Sequence, residues 1–291
     1  MNLLIAGRGP GSWTMRGQQI GRALGARVTS DPSPADWRWA ELAIVVKRAV
    51  LAHAGAARQF QVPIVWDALD FWRQPAQNHL TEPAARGLLE QAILAVRPLV
   101  LPDATLPVAV IGATRAMAAA ARGVYLPHHG HLGLVPTPAR RACRVVAYDG
   151  NPIFLDHWQP ALRAMCAARG WVFTINPPDL AEADIVVALR GGVWDGWMCR
   201  AWKSGVKVVN AILAGRPLIA QASAAVAELD PEGSIVETPA ELDRALDRWA
   251  DYHERRALAE RAVARAPAFS ITAVAGAYRA YLEGLRVGAS T

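Results

Sequence analysis

In WKSGVKVVNAILAGRPLIA, residues 202–220, Lys203, Lys207 and Asn210 stand at i, i+4 and i+7, a spacing that puts them on one face of a helix. Val206, Val209 and Leu213 fall on another face at core spacing. Ser204 is a candidate N-cap and Gly215 a candidate C-terminal stop. Upstream, ADIVVALRGGVWDGW puts Arg190 at the carboxyl end of a strand, where open α/β sheets bind ligands. Arg190, Lys203 and Lys207 together with the amides of a helix start are the chemistry of a diphosphate site. Asn210 lies roughly 9 Å further along the axis at 1.5 Å per residue, a reach that suits a ribose hydroxyl.

Other residues carry chemistry of their own. In IAGRGPGSWTMRG, Gly7, Gly9 and Gly11 follow a strand and precede a helix containing Arg16, a turn that suits either close approach to a ligand or a tight chain reversal. The spacing is GxGxG, so the dinucleotide fingerprint is missed, and no Walker signature is present. WDALDFW sets Asp67 and Asp70 at the end of a buried strand among Trp66, Phe71 and Trp72. A carboxylate there suits a general base on an acceptor hydroxyl, with a turn or N-cap aspartate as the alternative. YLPHHGH clusters His128, His129 and His131 without a fourth ligand nearby, which argues against zinc; no metal is expected. YDGNPIF, with Tyr148, Asp149 and Asn151, ends the first strand of the second half and is expected to line a cleft together with His129 and Arg16.

The elements that must position these residues read as strand–helix alternation. NLLIAG, LAIVVK, VPIVWDAL, PLVLP (98–102), PVAVIG (107–112) and GVYLPHHG are strand-like. MRGQQIGRALGA, AGAARQFQ, AARGLLEQAILAV and TRAMAAAAR between them have helical character. A connector, GLVPTPARRAC (133–143), interrupts the pattern, which then restarts with RVVAYDG, GWVFTIN, ADIVVALRGG, PLIAQ and SIVET. PAELDRALDRWADYHERRALAERAVARA reads as one long charged helix and SITAVAGAYRAYLEGL as a last amphipathic one. Near-continuous apolar strands alternating with helices predict two α/β halves, each a parallel, doubly wound Rossmann-like sheet.

Bulk properties narrow the setting. The chain has 291 residues, 53% apolar and 19% charged, within the range of a folded two-domain α/β protein. No apolar run nears the length of a membrane span, and the opening MNLLIAG reads as a first strand, not a signal peptide. Cys143, Cys166 and Cys199 lack CxxC spacing and suggest free thiols in a cytoplasmic protein. The net charge of +6 is lopsided: residues 1–141 hold 15 Lys and Arg against 8 Asp and Glu, and residues 142–291 hold 16 against 17. That asymmetry fits either an arginine-rich coding bias or a polyanionic partner for the first half.

KSGVKVVNAILAGRPLIA, followed by Glu228 and GSIVETPAELDRAL, resembles the donor-site segment of nucleotide-sugar glycosyltransferases with the glycosyltransferase-B fold, in a form like that of family 4. The likeness covers about residues 184–250. It implies an acceptor-side domain over 1–138, a donor-binding domain over 139–267, and a helix over 268–291 that crosses back to the first domain. It further implies a nucleotide-diphosphate sugar, a UDP-sugar foremost, as donor substrate, with no cofactor required. Retaining members carry two glutamates eight positions apart, where this chain has Trp202 and Asn210. The expected activity is transfer of a hexose to a hydroxyl. Hydroxymethylated pyrimidine in DNA is the acceptor that a basic first half suits, and a lipid-carried glycan at an anionic membrane surface is the alternative. A non-catalytic nucleotide-binding protein is a further alternative.

Overall fold

Every residue of β1 (Leu3–Ala6), β3 (Leu42–Val46) and β4 (Ile64–Asp67) is buried, as strands covered on both faces by helices require. In the computed structural model, which describes residues 1–9, 11–96, 109–230 and 232–288, these strands lie at the centre of a six-stranded sheet. With β2 (Arg27–Thr29), β5 (Ala109–Gly112) and β6 (Val124–Tyr125) its order is β2-β1-β3-β4-β5-β6, parallel throughout. The strand expected at 98–102 and the first two residues of the one expected at 107–112 lie outside the described residues. The edge strand β2 was not legible, being three residues with two polar side chains.

The second sheet holds β7 (Val145–Tyr148), β8 (Val172–Ile175), β9 (Ile185–Ala188), β10 (Leu218–Ala220) and β11 (Ser234–Ile235), ordered β11-β10-β9-β7-β8 and also parallel. Both sheets reverse their winding once, between β1 and β3 in the first and between β7 and β9 in the second. Such switch points open a crevice at the carboxyl ends of the strands. Arg190 and Asp149 follow β9 and β7 and flank the second of them.

Helices α1 (Ile20–Leu24), α2 (Pro34–Trp39), α3 (Ala49–Gln59), α4 (Glu82–Val96) and α5 (Arg115–Ala121) accompany the first sheet. A capping box between Ser33 and Asp36 starts α2, and Thr114 caps α5. Interleaved with the strands of the second sheet are α6 (Trp158–Ala168), α7 (Trp197–Trp202), α8 (Val206–Ala214) and α9 (Ala224–Leu229), and after its last strand come α10 (Pro239–Ala250), α11 (Tyr252–Arg265) and α12 (Ile271–Gly288). Two expected helices are each divided. The charged one breaks at Asp251, which caps α11 by accepting from the His253 and Glu254 amides. The one carrying Lys203 and Lys207 breaks at Lys203–Gly205, and Ser204 caps nothing.

The second break has a packing cause. Met198, Cys199 and Trp202 of α7 are buried in the core of the first sheet with Trp66, Phe71 and Trp72, and Trp202 lies 6.1 Å from Phe71, ring to ring. Asn78 fastens the arrangement: it accepts from Trp72 Nε1 at 2.9 Å, donates to the Val193 carbonyl at 3.0 Å, and its own carbonyl accepts from Met198 N at 3.1 Å. Thr114 Oγ1 adds a bond to the Ala201 carbonyl at 2.9 Å.

On the opposite face of the first sheet, Leu3, Ile5, Ile44 and Val46 pack with Val274, Ala275, Tyr278 and Leu282 of α12. The contact has a polar centre. Asp67 is fully buried, its Oδ2 accepting from Tyr278 Oη at 2.6 Å and lying 3.2 Å from Arg16 Nε. Arg16 also donates to the Leu126 and Pro127 carbonyls. Asp67 Oδ1 and Arg16 Nε have no hydrogen-bond partner, so the group depends on the phenol. Tyr278→Phe is therefore expected to destabilise the protein by about 1–3 kcal/mol, read as a lowered urea midpoint, while a control such as Tyr281→Phe leaves it in place.

Candidate functional site

A pocket opens at the carboxyl ends of β9 and β10, against the start of α8. Arg190, Lys203, Ser204 and Lys207 line it, joined by Asp195 and Arg200. The N-terminus of α8 has no side-chain cap, so its first-turn amides have no intrahelical partner and face the opening. Gly215 ends the helix in the left-handed region at φ 69°, as a C-terminal stop requires.

Lys207 is the least satisfied group here. Its Nζ is buried with no hydrogen-bond partner among the described residues and sits 3.5 Å from the centroid of the Tyr148 ring. Gly150, after β7, has a φ of 146° that favours glycine, and a Cβ there would stand 2.6 Å from that nitrogen. Burial holds the Lys207 ammonium well below its ordinary pKa, Arg190 adds to the shift, and Asp149 opposes it. Burial also pushes the Tyr148 phenol up to about 12, and its hydroxyl donates to the Asn151 carbonyl at 3.3 Å. Arg190 stacks on Phe154, 4.6 Å from the ring centroid, and its backbone amide donates to Gln221 Oε1 at 2.7 Å. Charge, a buried donor and a helix start converge here, and among the described residues no carboxylate is hydrogen-bonded to Lys207, a set of groups chemically suited to an anion.

Lys203 departs from the expected stripe. It leaves α7 in extended backbone and crosses to the first domain, where Nζ lies 3.0 Å from Asp70 Oδ2 and 3.5 Å from Gln74 Oε1. Burial pushes the Asp70 carboxyl up, but Lys203, Lys47 and Arg190 outweigh it and hold it below the ordinary range. Asp70 and Lys47 both have positive φ, 46° and 61°, and Asp70 Oδ1 is buried without a partner. Strain of this kind gathers where a chain serves a ligand.

Several expected roles give way to structural ones. Asn210 is not open to a ribose: its Nδ2 donates to Asp149 Oδ2 at 2.8 Å and its Oδ1 accepts from the His131 amide at 3.0 Å. Asp67 is sealed under α12 and reaches no acceptor, and Arg16 is buried beside it instead of lining a cleft. Trp202 is core, not a neighbour of a sugar. His129 is fully buried, 2.7 Å from Gln19 Oε1 through Nε2, and burial with nearby Arg16 lowers its pKa to about 4. Asn151 caps the short helical turn Pro152–Phe154. Gly9 and Gly11 take φ of 92° and 65° with nothing within 4 Å of an added Cβ. Their conformation requires glycine, and neither lines the Arg190 pocket. Among the described residues no group of three or more His, Cys, Asp or Glu is placed to hold a metal ion, and no helix is long and apolar enough to cross a membrane.

Other lining residues were missed in the sequence. Arg200 is clamped by Asp195, at 2.6 Å, and Glu237, at 2.9 Å, and Gln221 follows β10. The carboxyl-end rule that found Arg190 also applies to Gln221; the Asp195–Arg200 pair had only its short separation to mark it.

Two parallel sheets facing across a crevice, with a last helix returning to the first, define the glycosyltransferase-B fold. Solved structures of that architecture are similar to the chain throughout. AviGT4, a glycosyltransferase involved in avilamycin A biosynthesis, matches at TM-score 0.56 and 14% identity over 99% of both chains. The trehalose-6-phosphate synthase OtsA matches at 0.61 and 9% over 97% of this chain and 99% of its own. A UDP-forming α,α-trehalose-phosphate synthase from Burkholderia vietnamiensis matches at 0.57 and 12% over 94% and 82%. No family model and no curated protein matches the sequence.

An unpaired buried ammonium costs stability and is recovered on binding an anion. Lys207→Met is expected to raise unfolding stability by about 1–3 kcal/mol and to abolish binding of inorganic pyrophosphate. Binding restores the charged lysine, so affinity falls as pH rises through the depressed pKa, and a proton is taken up. Calorimetry in two buffers of different ionisation enthalpy reads that proton, which disappears in the variant.

Proposed function

We propose that this chain is a glycosyltransferase that moves a hexose from a UDP-sugar to a hydroxyl acceptor. One observation carries the reading: Lys207 Nζ, buried and unpaired at the bare start of α8, beside Arg190 at the switch point of the second sheet. As the anomeric bond breaks, negative charge develops on the diphosphate. Preorganised cations and amides in a pocket of low dielectric stabilise that charge. The second domain is thereby the donor side and the first the acceptor side. The fold is shared with AviGT4, called a glycosyltransferase, and with a synthase called UDP-forming, which supports both the class and the nucleotide. Asp70, fixed by Lys203 and with Oδ1 free, serves as an acceptor of hydrogen bonds from a bound hydroxyl. The cations that hold its pKa below the ordinary range also weaken it as a proton acceptor.

For the acceptor, the charge asymmetry of residues 1–141 favours hydroxymethylpyrimidine in DNA over a carrier at an anionic membrane. Among the described residues, Arg8, Arg16, Arg27, Arg86 and Arg140 are engaged in ion pairs within the protein, which reduces the charge available to phosphates. The full chain is to be incubated with a panel of nucleotide sugars and with hydroxymethylcytosine-containing DNA, a carrier-lipid preparation or small alcohols. Released UDP and a hexose mass increment on one acceptor are expected, and both are lost in Lys207→Ala. Undiminished transfer by that variant overturns the assignment of the diphosphate site. Salt-insensitive behaviour toward both duplex DNA and anionic vesicles leaves a small neutral acceptor.

A further inference from the structure

A second cavity opens where the connector between the domains passes the end of β7. Gln19 of the first domain, His131 and Leu132 of the connector, and Asp149, Asn176 and Asp179 of the second domain line it, around about 1150 Å³ of space open to solvent. That is room for a hydroxyl-bearing substrate. His131 Nε2 lies 2.9 Å from Asp149 Oδ2. The same carboxylate oxygen accepts from Asn210 Nδ2, and Asn210 Oδ1 accepts from the His131 backbone amide. One buried amide side chain therefore fixes both members of a histidine–aspartate pair, at a point where a solvated surface pair would be free to drift.

The pair has a direction. With Nε2–H given to the carboxylate, a neutral imidazole keeps its lone pair on Nδ1. Among the described residues no group bonds that nitrogen, and about half of the side chain is exposed. Asp149 precedes Gly150, where an added Cβ would stand 2.6 Å from Lys207 Nζ, and its charge interacts with that lysine, so the pair adjoins the cation of the anion site.

We propose that His131 is the base that accepts the proton of the incoming hydroxyl, with Asp149 and Asn210 as positioning residues. The inference rests on the glycosyl-transfer reading above. The hydroxyl proton passes to His131 Nδ1 and the acceptor oxygen forms its bond to the anomeric carbon. The bond from that carbon to the diphosphate oxygen breaks, its electron pair leaving with the diphosphate toward Lys207, Arg190 and the α8 amides. A single displacement of this kind inverts the anomeric centre.

The electrostatics agree with the geometry. The hydrogen bond to Asp149 raises the His131 pKa above its ordinary value, burial opposing in part. Burial pushes Asp149 up, but His131, Asn210 and Lys207 outweigh it and hold it below the ordinary range. The titratable groups around His131 are Asp149 from the second domain, His129 on its own segment and Asp179 across the cavity, with Lys207 acting on the pair through Asp149. A base must be unprotonated, so transfer rises with pH through the raised histidine pKa. Removing the carboxylate charge moves that limb to lower pH.

The test compares the full-length protein with His131→Gln and Asp149→Asn, using the donor and acceptor that the panel identifies. Expected for His131→Gln is a fall in kcat of roughly 100-fold or more, with the dissociation constant for UDP held within about twofold, a binding readout that also certifies the fold. Expected for Asp149→Asn is a smaller fall, a rate limb displaced to lower pH, and a lowered His131 titration by imidazole NMR. Transfer by His131→Gln within about threefold of the parent, a limb that stays in place, or retained anomeric configuration overturns the assignment while leaving the glycosyl-transfer reading intact. A parent protein that releases no UDP from any donor overturns both.

Discussion

An ammonium group kept out of water with no hydrogen-bond partner among the described residues is costly, and the surroundings of Lys207 in the second domain maintain that cost. What holds Lys207 in place is the packing of its helix: Val208, Val209, Ile212 and Leu213 of α8 are buried, so the helix cannot rotate to carry the lysine into solvent. Tyr148 offers its ring face from below, the one contact that attracts a cation without neutralising it. The missing Cβ at Gly150 leaves the space. Apolar burial on one side of the helix thus maintains electrostatic deficit on the other.

Much of this was legible along the chain, because the strands are locally written. Runs such as LAIVV and IVVA are apolar at every position and bounded by turn residues, so their place in parallel sheets followed, and with it the position of Arg190 at a strand end. The failures share a cause. Asn210 looked like a ligand group because an amide among valines lacks a local partner; its partners, His131 and Asp149, are 79 and 61 residues away. Asp67 looked like a base for the same reason, its phenol donor lying 211 residues downstream. Lys203 and Lys207 keep helical spacing across a gap that only the tertiary pull of Trp202 into another core reveals.

The histidines show the limit from the other side. Three within four positions invite a common metal site, which the lack of a fourth ligand argued against, and the fold assigns them separately. His128 bonds the His129 carbonyl at 2.8 Å in the interior, His129 bonds Gln19, and His131 alone reaches a carboxylate. The His128 and His129 rings stay 5.5 Å apart, yet each of the three takes a different hydrogen-bond partner, so proximity in sequence gave them no common one.

The docking of α7 has a mechanical consequence. This six-residue helix belongs by sequence to the second domain but is seated in the first domain's interior, and only Lys203, Ser204 and Gly205 join it to α8. Three residues span at most about 11 Å, a short tether with little slack. Any swing of one lobe against the other is therefore geared directly to the first turn of α8: prising the lobes apart either drags Trp202 from its seat or tugs the amide donors off their aim.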